Sequence, residues 1–170
     1  MDTLNKQSLD LLSIIQRVDE RLTNEERAKD LVDAAARRLT VYPIMQKKIE
    51  DDLERIMEIE QYGVRDKSKS IALYQRSGTR LMPEEIAEAL INDLRVNIAS
   101  MEQEINTIDN ALNVIEGNPY ADIIRFKFFN RMNDEEIAFR MNCDPSTVRR
   151  NKKHLLRHIA IYLYGVAAAY

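Results

Sequence analysis

The sequence holds 170 residues, 45% hydrophobic and 31% charged, with four Gly, four Pro, no Trp and a net charge of −3. That length suits one domain or two small ones. The scarcity of turn-formers beside abundant Glu, Lys, Arg, Leu, Ile and Ala predicts an all-α fold. No apolar run nears the roughly 18 residues a membrane span needs. The opening MDTLNKQSLD lacks a basic-then-apolar leader, so no signal peptide is expected. One cysteine, Cys143, excludes an internal disulfide and suits a cytoplasmic protein.

Residues 1–62 read as N-terminal helices. Leu4, Leu11, Ile15, Val18 and Leu22 recur at helical spacing. Asn24 before Glu25 and Glu26 has the form of a fresh helix start, with acids in the first turn. Leu31, Ala34, Ala35 and Leu39 give the apolar side of that second piece. Pro43, acceptable in a first turn, predicts another start, striped by Ile49, Leu53, Ile56 and Ile59 and stopped by Gly63. Residues 63–82 contain GVRDKSKS and SGTR and read as a connection, with a short apolar patch over Ile71–Tyr74.

The strongest periodicity lies in residues 83–116. Pro83, Glu84 and Glu85 open a helix. Ile86, Leu90, Leu94, Ile98, Met101, Ile105, Ile108, Leu112 and Ile115 then follow, in steps that settle into alternating threes and fours. At ~1.5 Å per residue such a helix is roughly 50 Å long. It must bury its stripe against the preceding helices, as a hairpin, or against a second copy, as a dimerising coiled coil. Gly117-Asn118-Pro119 stops it.

Charge is concentrated after that stop. Residues 120–170 hold nine Lys/Arg against five Asp/Glu, while residues 1–119 hold sixteen against twenty-three. A basic end on an acidic chain suggests a face for nucleic acid. Within it, Tyr120–Arg131 reads as a helix, with Ile123, Ile124, Phe126 and Phe128 as its apolar residues. Asn133 and Glu136 have capping-box spacing, and Ile137, Ala138 and Met141 give the next helix a buried side. Ala138 is small enough to let another helix cross closely. Asn142-Cys143-Asp144 forms a turn, after which Asp144 caps a last helix and Pro145 takes its first position. Two short helices so joined match helix-turn-helix architecture.

On a helical wheel Val148, Leu155 and Ile159 share one side, and Ser146, Arg150, Lys153 and Arg157 the opposite one. Arg149, Thr147 and His154 flank that outer face. Residues 145–157 contain five basic side chains and no acid. Arg pairs bidentately with guanine, and Ser or Thr meets phosphate or base edges. The first turns of such a helix make the base contacts, so Ser146, Thr147, Arg149 and Arg150 are the expected readers. Lys152, Lys153 and Arg157 lie further along and suit phosphates, and Asn151 lies within the same stretch.

EEIAFRMNCDPSTVRRNKKHL resembles the region 4 helix-turn-helix of sigma factors. From Tyr120 to Gly165, with RFKFFN, DEEIA, STVRRNKKHLL and IAIYLYG, the chain is more specifically similar to ArpU/RinA-type phage late-gene transcriptional regulators. The SG…LMPEEI element at 77–86 and its long helix fit that group, so the likeness covers roughly residues 70–167. It implies a prophage or phage-derived DNA-binding protein that activates late, packaging or lysis genes and recognises its site through Pro145–Lys153. A promoter-melting region of the sigma type is not seen, which argues against a self-sufficient sigma factor and leaves contact with RNA polymerase open.

Other chemistries find little support. Cys143 has no CxxC partner, and His154 and His158 have no third ligand nearby, so no metal is expected. No phosphate-cradling glycine loop, G-x-S-x-G or H-E-x-x-H occurs, and no cofactor or enzymatic activity is expected. The sequence thus predicts an all-α protein: N-terminal helices and a long hairpin or coiled coil, then a helix-turn-helix domain over 120–170. Its expected partners are double-stranded DNA, a second copy through the long helix, and RNA polymerase. Three alternatives are a small-terminase-like subunit recognising DNA for packaging, a sigma-like RNA polymerase-associated factor and a helical adaptor for an acidic protein.

Overall fold

The computed structural model describes residues 2–64 and 82–169, with side chains from residue 17 onward except 18, 19 and 22. The 65–81 connection and its Ile71–Tyr74 patch lie outside the described residues. Every regular element among those described is helical: α1 (Asp2–Tyr62), α2 (Pro83–Asn113), α3 (Asp122–Ile124), a π-helical turn (Arg125–Phe129), α4 (Asp134–Arg140), α5 (Pro145–Tyr164) and a 3₁₀ turn (Val166–Ala168). The all-α expectation holds. None of the described helices is long and apolar enough to cross a membrane.

The N-terminal segment differs from its sequence reading. It is one continuous helix; Asn24 does not restart it, and Pro43 lies in its interior. A proline there removes the helical hydrogen bond that would reach back to residue 39 and ordinarily costs about 3 kcal/mol. Burial on both sides of the proline opposes that cost: Leu39 is fully buried, and Tyr42 and Ile56 are nearly so.

The described chain forms two compact units, Met1–Thr40 with Asp109–Tyr170, and Val41–Ile108. In the second, the latter part of α1 and α2 run antiparallel. Arg95 Nη2 lies 3.2 Å from Glu60 Oε1 near one end, and Met45 borders Ser100, Met101 and Thr107 toward the other. Ile56, Ile59, Ile86, Ile98 and Ile108 are buried there, so the two helices do pair within the chain. Leu90, Leu94, Met101 and Ile105 stay only half-covered.

The first unit has the denser core. Ile123, Ile124, Ile137, Val148, Leu155 and Ile159 are fully buried. Ala28, Ala35 and Leu39 present a buried stripe on α1. Residues of α1 between 25 and 33 border α5 residues 152–157, and the Arg38 guanidinium sits 5.7 Å from the centre of the Tyr164 ring. Part of the N-terminal helix is thus built into the same unit as the C-terminal helices.

Candidate nucleic-acid interface

Local hydrogen bonding fixes where α4 begins. Asn133 Oδ1 accepts the Glu136 N–H at 2.8 Å, and Glu136 Oε2 accepts the Asn133 N–H at 2.7 Å. This reciprocal capping box satisfies two helix-end donors at once. Ile137 and Ala138 then point into the core. The chain leaves α4 through Asn142 at φ +51°, a left-handed position that Asn tolerates. The Cys143 N–H donates to the Ala138 carbonyl at 3.0 Å and ties the turn to α4. Cys143 itself is half-buried and free.

Asp144 starts α5. Its Oδ1 accepts the Ser146 N–H at 2.7 Å, and Pro145 occupies the first position. Hydrogen bonds from the Ser146 hydroxyl and backbone, with the nearby Arg149 charge, hold the Asp144 carboxyl below its ordinary range. Val148, Leu155 and Ile159 face inward as the wheel predicts. Leu156 and Ala160 are buried too, which widens the stripe on the side that α1 borders.

The eight residues expected at a DNA surface divide into three groups. Ser146, Arg149 and Arg150 are exposed on the first two turns of α5, with Thr147 half-buried beside them. Arg150 has no ion pair among the described residues, whereas Arg149 lies in the field of Asp144. Lys153 and Arg157 are also exposed. They border a hollow of about 770 Å³ whose opposite wall carries Glu25, Glu26 and Asp33 of α1.

Asn151 and Lys152 turn into the fold. Asn151 Nδ2 donates to the Thr147 carbonyl at 2.9 Å within α5. Lys152 Nζ donates to Asp134 Oδ1 at 2.7 Å and Oδ2 at 2.8 Å. Lys127 Nζ approaches the same carboxylate at 3.6 Å. Asp134 and Lys152 are only 16% and 21% exposed. Lys152 therefore ties α5 to the start of α4, its ammonium engaged by a carboxylate, in contrast to the exposed Lys153 and Arg157. Burial pushes the Asp134 carboxyl up, but the hydrogen bond and charge of Lys152, with the charge of Lys127, outweigh it and leave it below its ordinary value.

His154 and His158 pack edge to face with ring centres 4.3 Å apart. Among the described residues, no three His, Cys, Asp or Glu side chains gather as a metal would require.

No protein-family model, curated protein or solved structure matches this chain.

Proposed function

We propose that the chain is a sequence-specific double-stranded-DNA-binding regulator of transcription, acting as an activator of phage or prophage late genes. In this reading α4 and α5 form a helix-turn-helix and the first turns of α5 enter the major groove. The observation that carries it is the pairing of opposite faces on α5. Val148, Leu155 and Ile159 are fully buried, while Ser146, Arg149 and Arg150 stand in solvent directly after a capped, tightly tied turn. Exposed arginines on a helix whose other face is locked in a core support a base-reading role.

A second copy fits the same reading. Leu90, Leu94, Met101 and Ile105 of the heptad stripe are only half-covered within the chain, which leaves apolar surface for a partner helix. Two copies would then offer two α5 helices to neighbouring half-sites.

Selection of duplexes from a random library by the purified full chain tests the reading. A recovered consensus, retained with tight binding at physiological salt, supports it. Recovery of unrelated sequences, with affinity that vanishes as salt rises, overturns it. RNA polymerase is the partner such a regulator acts on, and transcription from a template bearing the consensus measures the direction of the effect.

A further inference from the structure

Phe139 is the most exposed large hydrophobic side chain among those described, at 90%. Its neighbours Ile137 and Ala138 on α4 are buried, so the helix is firmly seated and holds this ring in water. Beside it lies a shallow hollow of about 610 Å³, lined by Asn130, Arg131, Met132, Glu136, Phe139 and Arg140. Neither Arg131 nor Arg140 has an ion pair among the described residues. The Arg140 guanidinium sits 4.7 Å from the centre of the Phe126 ring, which holds the charge beside the hollow without neutralising it.

Arg131 adds a second, independent sign. Its φ is +56°. It follows the end of the π turn, where the Met132 N–H reaches back to the Phe126 carbonyl at 3.0 Å. A helix end of this kind favours glycine or asparagine, and the Asn142 turn uses asparagine. At residue 131 the chain instead keeps a long cationic side chain at a backbone position that disfavours it.

We infer that Phe139, Arg131 and Arg140 form a protein-docking surface for an acidic segment of a partner protein, one that seats an apolar side chain against the Phe139 ring between flanking carboxylates. Aromatic and arginine side chains are those enriched where protein interfaces concentrate their binding energy. A duplex backbone is a poorer occupant, because it would engage the two guanidinium groups but leave the exposed phenyl ring without an apolar contact. A second copy through the same patch is poorer still, because it would gather four guanidinium groups against only two Glu136 carboxylates, each already engaged by its own Asn133 N–H. The surface uses none of Ser146, Arg149 or Arg150, so it is separable from the DNA reading.

The test is photo-crosslinking in producing cells, using the full chain with p-benzoylphenylalanine in place of Phe139. A control chain carries the same group in place of Val166, itself 71% exposed. The expected result is one protein cross-linked from position 139 and not from 166, at a peptide with Asp or Glu within a turn of an apolar residue. Arg140→Glu should abolish that cross-link, and reversing the mapped acid on the partner should restore it. Cross-linking to DNA, cross-linking to another copy of this chain, equal yields from both positions, or indifference to Arg140→Glu would each overturn the inference. Phe139→Ser should leave the melting temperature and the affinity for a selected duplex unchanged; loss of DNA affinity would assign the ring to the nucleic acid instead.

Discussion

Lys152 Nζ bridges both carboxylate oxygens of Asp134, at 2.7 and 2.8 Å, across eighteen residues of chain. This contact holds the start of α4 to the middle of α5, and so sets the direction in which Arg149 and Arg150 leave the core. Lys152→Met should destabilise the fold by about 1–3 kcal/mol, because it strands a mostly buried carboxylate. DNA affinity should fall with an unchanged salt slope, since no phosphate contact is lost. Urea unfolding and a salt titration of binding check the two halves. A slope shallower by ~1 would return Lys152 to the DNA surface.

Acid should release the same tie. The Asp134 carboxyl titrates below its ordinary 3.8 in the folded chain. A lowered folded value means its contribution is fully present above the unfolded value and is lost as pH falls through the folded one. The stability gap between the wild type and Asp134→Asn should therefore stay constant from neutral pH to about 4 and close only below it. A gap that narrows between pH 7 and 5 would contradict the assignment.

On the proposed reading Arg150 is the cleaner candidate for base contact, because Arg149 lies near Asp144. Arg150→Ala should cost about 1–3 kcal/mol on the selected duplex and relax preference at one position. A uniform loss on all duplexes would make it a phosphate contact.

Across their hollow, Lys153 and Arg157 face Glu25, Glu26 and Asp33. If the two cations meet phosphate as proposed, those carboxylates would compete with it. Glu25→Gln, Glu26→Gln and Asp33→Asn together should raise affinity for unrelated duplex DNA and steepen its salt dependence, each regained contact adding about 0.9 to the slope. Unchanged binding would show that α1 does not shield the two cations.

Asp52 is 4% exposed, and its Oδ2 has no hydrogen-bond partner among the described residues, while Oδ1 meets Lys48. Removing a desolvated, half-satisfied carboxylate should help. Asp52→Leu should raise stability by about 1–2 kcal/mol, read as a higher melting temperature. A fall would show that the carboxylate sets the pairing of α1 with α2.

Local chemistry was readable from the sequence and distant pairing was not. The Asn133–Glu136 box, the Asp144 cap and the inward Val148–Leu155–Ile159 stripe depend on residues a few positions apart, so spacing alone declared them. The Lys152 tie depends on Asp134 in another helix, and the wheel gave no sign of it. The acidic neighbourhood of Lys153 and Arg157 depends on α1, more than a hundred residues earlier. Pro43 misled for a related reason: its local preference is for a helix start, and burial of Leu39, Tyr42 and Ile56 overrides it. Phe139 lies outside the expected apolar positions, and only its exposure in the fold gives it significance.

The π turn over Arg125–Phe129 sets a rotational phase. The Asn130 N–H reaches the Arg125 carbonyl five residues back, so this turn holds one residue more than an α-helical turn. Ile123 and Ile124 anchor the chain before it, and everything after is indexed by that extra residue. Deleting one residue from this turn would swing Asn130, Arg131 and Met132 by roughly 100° about the axis. Arg131 would then lose its place beside Phe139, while the capping box and the α5 helix kept their own sequences intact. A variant shortened by one residue in this turn would differ from the parent in angle rather than in composition.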